Sequence, residues 1–297
     1  MTSFSVQVKQ ELLRVSAQQQ PCCAQAKLYG MLLFGASFNA REISLRTELR
    51  DVADYAATQL QELALVQAQL QQSTRKVELT VPRADDRRRL LERMGHSEDE
   101  PGRRIARENF ACDDCPMAFL RGVFLVCAAV NAPQRQYHLE FSVGYKKLCN
   151  ELVQLLGEHN LPPKICQRKG AWLLYYKDSE HIEDVLASLG AQTAVLEFMQ
   201  TKVEKDLRNN VNRVMNFDMA NLDRATAAAA QQLHAIAQIR STMGLDSLTE
   251  PLREAAELRE QNPEASLAEL CELCSTPVTR SGMNHRLKKL VAMAAQF

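Results

Sequence analysis

The sequence predicts an α+β protein in two parts: a pseudo-symmetric domain made of two copies of one unit, then an all-α domain that ends in a helix-turn-helix. Three observations carry this. An apolar run with Ala26 and Gly30 four apart returns about 92 residues later with Ala118 and Gly122, and the pattern that follows returns with it. Strand-like alternation stops after Phe217. Near the C-terminus a short helix signal, a break and a basic helix signal follow one another.

The elements can be justified in order. Thr2 to Ser16 reads as a helix with Val6, Leu12, Leu13 and Val15 on one side. Ala26 to Gly35 is the first apolar motif helix and Ala118 to Cys127 the second. Glu42 to Leu49 and Gln136 to Val143 alternate apolar and polar residues, as half-buried strands do. Asp51 to Leu63 and Gly144 to Leu156 are amphipathic helices. Two hairpins come next, Leu63 to Leu70 with Lys76 to Val81, and Lys164 to Arg168 with Ala171 to Tyr176, where Gly170 suits the turn. Asp85 to Met94 and Ser179 to Leu189 close each copy as helices. The unit is α-β-α-β-β-α, repeated over about 20–95 and 115–190 inside a first domain of residues 1–205.

Ala194 to Met215 is long and increasingly polar and reads as a connecting helix, with the boundary over 206–217 and the second domain over 218–297. That domain begins with Asp218 to Ile239, rich in Ala and Gln, and a shorter helix, Ser247 to Gln261. Gln261-Asn262-Pro263-Glu264 is a stop, and Ser266-Leu267-Ala268-Glu269 is a capping-box start. The helix it opens runs to Cys274, Ser275-Thr276-Pro277 breaks it, and Thr279 to Ala294 is the last helix.

Hydrophobic residues at 46% and charged residues at 24% describe a folded globular chain and exclude a disordered one. No segment approaches the roughly 18 uninterrupted apolar residues of a membrane span, and the polar start with Lys9, Glu11 and Arg14 is not a signal peptide, so a cytoplasmic protein without membrane partners is expected. The 36 basic and 36 acidic residues cancel, so any polyanion-binding surface must come from local asymmetry.

That asymmetry lies in the last helix. Val278 to Phe297 holds four Lys/Arg and no acid, whereas from Phe217 to Pro277 acids outnumber bases by ten to four. At 100° per residue Met283, Leu287, Leu290 and Ala294 share one narrow arc. On the other side Ser281, Asn284, His285 and Lys288 can hydrogen-bond base edges in a major groove, and Arg280, Arg286 and Lys289 suit phosphates. Thr279 completes the candidate DNA-binding set. A solvated terminal helix, its basic residues complementing the helix dipole, is the competing reading.

Nine cysteines in a reducing cytosol read as buried thiols or a metal site, not a disulfide framework. Cys22-Cys23 and the CxxC of Cys112 and Cys115 precede the two motif helices, and the pseudo-symmetry could bring them together as an all-thiolate zinc site. Adjacent cysteines share one ion poorly, so buried, idle thiols are the reading adopted, with no metal and no cofactor expected. Cys271 and Cys274 read as core. Arg83 to Arg107 carries eight arginines against six acids and reads as a solvated helix face followed by an exposed loop, His96 to Asn109, with Pro101-Gly102 within it.

Taken together these residues resemble the WhiA family of bacterial DNA-binding regulators. The resemblance rests on Asn210-Val211-Asn212-Arg213 with Asn216 and Ala220-Asn221, on Ser266-Leu267-Ala268-Glu269-Leu270, on Arg280-Ser281-Gly282-Met283-Asn284-His285-Arg286-Leu287, and on Cys22-Cys23 and Phe119-Leu120-Arg121-Gly122-Val123-Phe124-Leu125. It spans nearly the whole chain. It implies a degenerate LAGLIDADG homing-endonuclease fold joined to a helix-turn-helix, in which Ala26, Gly30, Ala118 and Gly122 let the two motif helices approach closely.

Enzymes of that fold carry one acid at the end of each motif helix to hold divalent metal over the scissile phosphates. Here those positions are Gly35 and Cys127, and no acid occurs in Tyr29 to Asn39 or Phe119 to Asn131. The expectation is a non-catalytic protein that binds double-stranded DNA, a transcriptional regulator of cell division, chromosome segregation or sporulation associated with the nucleoid. RNA polymerase, a sigma factor or division proteins are its candidate protein partners, and the alternatives are an interaction adaptor that uses the vestigial nuclease fold and, against the missing acids, a metal-dependent endonuclease. A β saddle carrying Arg41, Arg46, Arg75, Lys76, Arg135, Lys164, Arg168 and Lys169 is compatible with a second DNA surface.

Overall fold

The computed structural model describes residues 3–15, 20–100 and 102–297. Two compact units divide the chain, Met1–Glu204 and Lys205–Phe297.

In the first unit α1 (Phe4–Arg14) precedes two copies of one arrangement. The first copy runs α2 (Pro21–Leu33), β1 (Ser37–Phe38), β2 (Ile43–Thr47), α3 (Arg50–Ala64), β3 (Gln69–Gln72), β4 (Val77–Thr80) and α4 (Ala84–Arg93). The second runs α5 (Cys115–Cys127), β5 (Ala128–Val130), β6 (Leu139–Val143), α6 (Lys146–Glu158), β7 (Lys164–Arg168), β8 (Ala171–Tyr176) and α7 (Ser179–Leu189). Each copy forms an antiparallel four-stranded sheet, in the orders β1-β2-β4-β3 and β5-β6-β8-β7. Leu45 sits opposite Leu79, and Phe141 opposite Leu174, so each central strand pair turns its apolar face to the core.

Each copy therefore has one strand more than the alternation in the sequence suggests. β1 and β5 span two and three residues, too few to show a period. A turn at Asn39, whose side-chain oxygen accepts from the amides of Arg41 and Glu42 at 2.9 and 3.0 Å, returns β1 onto β2. The first hairpin is also displaced. Leu63 belongs to α3, which closes at Leu65 with φ 54°, and the outer strand is the polar Gln69–Gln72. An edge strand needs no apolar face, so its sequence lacks the alternation that marks a half-buried one. The second hairpin falls on the expected residues, and positive φ at both Lys169 and Gly170 gives the turn the twist a two-residue hairpin requires.

The motif helices α2 and α5 form the centre of this unit. Their Ala26 and Ala118 are fully buried, a Cβ built on Gly30 would lie 2.4 Å from the carbonyl oxygen of Phe119, and one on Gly122 would lie 2.0 Å from that of Lys27. The helix backbones are thus in direct contact, which only glycine permits.

Lys27 is fully buried in this layer. Its ammonium donates to the carbonyl of Leu12, in the last turn of α1, at 2.8 Å and lies 4.6 Å from the ring centre of Tyr55. Burial, followed by repulsion from Arg121, lowers it to about 7. The unfolded chain then binds this proton more tightly between about pH 7 and 10, so the group makes folding more favourable as pH rises through that window and adds no slope below it. Denaturant titrations at pH 6, 7, 8 and 9 are expected to show wild type gaining on Lys27→Met by up to about 1.4 kcal/mol per pH unit above 7. Parallel curves would refute the assignment.

The segment His96 to Asn109 corrects the exposed-loop expectation: His96, Arg103, Ile105, Ala106 and Asn109 are buried, while Pro101 lies outside the described residues. Most of its charges are paired within the protein. His96 links the Tyr29 hydroxyl (2.9 Å) to Glu100 (2.8 Å), Glu100 accepts from Arg104 (2.7 Å), and Arg107 pairs with Glu158. Composition alone cannot separate paired charges from solvated ones.

Beyond α7, one helix of 51 residues, α8 (Gln192–Thr242), replaces the two expected helices, and the division between the compact units falls within it, after Glu204. The stretch around Phe217 contains neither Pro nor Gly, so its polarity ends no helix. In the second unit a 3₁₀ turn (Leu245–Ser247) precedes α9 (Glu250–Gln261), α10 (Leu267–Glu272) and α11 (Arg280–Ala294). α9 starts at Glu250 rather than Ser247, because Pro251 fits the first helical turn. A separate core of Ile236, Ile239, Leu252, Ala256, Leu270, Met283, Leu287 and Leu290 holds this unit together.

Candidate nucleic-acid interface

α10, the turn after it and α11 form the last structural group. Ser266 and Glu269 complete a reciprocal cap: the Glu269 amide donates to the Ser266 hydroxyl at 3.3 Å and the Ser266 amide to the Glu269 carboxylate at 2.6 Å. Thr279 caps α11, accepting from the Gly282 amide at 3.2 Å. Met283, Leu287, Leu290 and Ala294 recur at helical spacing and are the buried residues of α11. With that stripe turned inward, Arg280, Ser281, His285, Lys288 and Lys289 are exposed and Asn284 is half-buried. Thr279 is exposed, but its hydroxyl is engaged in the cap and lies 3.1 Å from that of Ser281.

Arg286 departs from the phosphate role expected of it. It is half-buried and donates to Glu254 of α9 at 3.4 Å. At 100° per residue it lies about 70° from the centre of the buried stripe, close enough for its guanidinium to fold back onto α9. Glu254 is a residue that sequence reasoning missed. It also accepts from the amide and hydroxyl of Ser275 at 2.7 and 2.6 Å, and these bonds together with Arg286 hold its carboxyl below the usual range. One carboxylate thus ties α9 to both the turn and α11. Glu254→Ala is expected to cost about 2 kcal/mol through the loss of charge-assisted bonds, read as a lower melting transition of the second unit. An unchanged transition would show that the turn holds itself.

The other candidate positions lie at the C-terminal ends of the motif helices, where Gly35 and Cys127 line one open groove with Arg46, Glu140 and Ser142. Neither position supplies an anionic oxygen. A Cβ at Gly35 would sit 2.7 Å from the backbone oxygen of Ser44, so an acid there would require β2 to move. Arg103 covers the end of α2, donating to the carbonyls of Leu33, Gly35 and Ala36 at 2.8, 2.9 and 2.9 Å. Desolvation pushes the Cys127 thiol well up, which leaves a neutral sulfur and not a hard ligand. Among the described residues the one group of three or more side chains with metal-ligating atoms gathered together is Cys22, Cys23, Cys112 and Cys115, at the opposite ends of these helices. Arg41, Arg46, Arg75, Lys76, Arg135, Lys164, Arg168 and Lys169 are all exposed on or beside the sheets, with Arg46 paired to Glu78 at 2.8 Å.

The paired repeats, the central motif helices and the terminal helix group define a class: a LAGLIDADG-like domain joined to a helix-turn-helix domain. The family model of the WhiA LAGLIDADG-like domain matches residues 117–208, and that of the WhiA C-terminal HTH domain matches residues 211–294. The chain is 33% identical to the probable cell division protein WhiA of Desulforudis audaxviator over 98% of this chain and 96% of that one. With the protein of the same name from Moorella thermoacetica the figures are 35%, 99% and 92%. The chain belongs to the WhiA family. Its fold is similar to the crystal structure of full-length DUF199/WhiA from Thermatoga maritima, with a TM-score of 0.61 and 24% identity over 100% of this chain and 99% of that one. No described helix is long and apolar enough to cross a membrane.

Proposed function

We propose that this protein is a sequence-specific, non-catalytic double-stranded DNA-binding regulator that acts in cell division and its associated transcription. The observation that carries the reading is α11: a capped helix, free of acids, whose exposed side bears Arg280, Ser281, His285, Lys288 and Lys289. In this reading Ser281, Asn284, His285 and Lys288 meet base edges, while Arg280 and Lys289 hold phosphates. Thr279 orders the start of the helix, and Arg286 fixes its seating on α9. The groove between Gly35 and Cys127 supports a non-cutting role, because a hydrolytic metal would have no carboxylate from either motif position. The exposed basic residues of the sheets add a second surface, and nucleoid association follows from DNA binding. Chromosome segregation and sporulation are further settings in which such a regulator would act.

The test is selection of genomic fragments by the full chain followed by sequencing. Recovery of a shared duplex motif supports the reading, and recovery of fragments without any common sequence contradicts it.

A second reading, an interaction adaptor, is favoured by α8. Leu207, Val211, Val214, Phe217 and Leu222 are all exposed on it, Phe217 and Leu222 at 66% each. RNA polymerase, a sigma factor or division proteins are its candidate partners. Capture that persists after nuclease treatment, and is lost in Phe217→Ser, would favour this reading.

A further inference from the structure

Four thiols meet at the N-terminal ends of the two motif helices. Cys22 and Cys23 lie in the first turn of α2, Cys115 opens α5, and Cys112 lies in the turn before it. The Sγ atoms of Cys112 and Cys115 are 3.4 Å apart, those of Cys23 and Cys112 3.5 Å, those of Cys22 and Cys112 3.6 Å and those of Cys23 and Cys115 4.0 Å. All four sulfurs lie within 4.8 Å of one another, and all four residues are free cysteines.

These separations discriminate between occupants. A tetrahedral zinc ion with four thiolates at about 2.3 Å places its sulfurs about 3.8 Å apart, in the middle of the observed range. A disulfide needs about 2.0 Å and would use only two of the four. A cluster of several irons spreads its ligands wider than a single ion does. We propose that Cys22, Cys23, Cys112 and Cys115 form a structural tetrathiolate zinc site that clamps the two repeats together across the pseudo-dyad.

This replaces the idle-thiol reading of the sequence. Adjacent cysteines are poor partners in an extended chain, but in a helical first turn their side chains diverge by about 100°, and here both sulfurs reach the common centre. Each repeat supplies two sulfurs, one from a buried residue (Cys23, Cys115) and one from a half-buried residue (Cys22, Cys112). The positive ends of two 13-residue helices lie beside them and offset part of the net negative charge of a tetrathiolate zinc centre. Binding releases the thiol protons to solvent and forms four Zn–S bonds without any change of oxidation state. The ligands come from segments about 90 residues apart, so the ion would reinforce the α2–α5 contact between the two repeats.

The test uses the full chain, untagged and purified without chelator. Elemental analysis is expected to find about one zinc per chain, falling at least tenfold in Cys112→Ser/Cys115→Ser. Because that variant could fail to fold, wild-type protein is also loaded with Co²⁺, which should give the sulfur-to-cobalt charge-transfer and tetrahedral bands of a tetrathiolate. Thiol titration should show four of the nine cysteines becoming reactive only after chelation. Trace metal with no cobalt spectrum, iron in place of zinc, or a mapped disulfide among the four in protein purified without air would each overturn the proposal.

Discussion

Gly122→Ala is expected to destabilise the first unit by about 3–5 kcal/mol, a fall of roughly 10 °C in its melting transition. Two effects oppose each other at this position. Gly122 lies in the middle of α5, where helix propensity alone would favour alanine by about 1 kcal/mol. The added methyl, however, would sit 2.0 Å from the backbone oxygen of Lys27. That oxygen belongs to α2 and cannot swing aside as a side chain can, so the two motif helices must separate and the layer between them loses its packing. Gly157 provides the control. It lies in α6, where an added Cβ would meet nothing within 4 Å, so Gly157→Ala should leave stability unchanged or raise it by up to about 1 kcal/mol. Thermal or denaturant unfolding of both variants decides the matter, and a Gly122→Ala protein as stable as wild type would mean that the helices do not touch backbone to backbone.

The second large effect concerns α11. Lys289→Ala and Arg280→Ala are each expected to weaken duplex binding about tenfold, uniformly over sequences, and to reduce the slope of log affinity against log salt by about 0.9. Asn284→Ala should instead relax preference at one base position, a loss of about 1–3 kcal/mol of discrimination. Arg286→Ala separates this account from simple charge counting. Its guanidinium is engaged with Glu254, so its removal should lower stability while leaving the salt slope of the folded protein unchanged. Gel-shift titrations at three salt concentrations measure all four. Equal slopes for wild type, Arg280→Ala and Lys289→Ala would remove these two side chains from the phosphate backbone.

Much of this architecture was legible in the residues. The repeat from Ala26-Gly30 to Ala118-Gly122 located the central helices, because apolar runs with small residues at fixed spacing carry long-range information. The buried stripe of α11 and the Ser266 capping box could be read because helical periodicity and caps are local signals. What escaped depends on distant partners. Arg103 is one of eight arginines in a charged stretch, and nothing beside it indicates that its guanidinium ends on the carbonyls of Leu33, Gly35 and Ala36. Glu254 is one acid on a polar helix until Ser275 and Arg286 are brought to it. The four cysteines could be named together, but their separations are tertiary facts. The continuity of α8 through Phe217 could have been inferred, since no breaker interrupts it.

A supercoiled plasmid carrying a selected site, incubated with the full chain and Mg²⁺ over a salt series and then resolved on a gel with and without protease, tests the central claim most directly. The predicted result is retardation that fades as salt rises and, after protease, plasmid that is still supercoiled. Nicked or linear plasmid that EDTA prevents, or no retardation at the lowest salt, would contradict it.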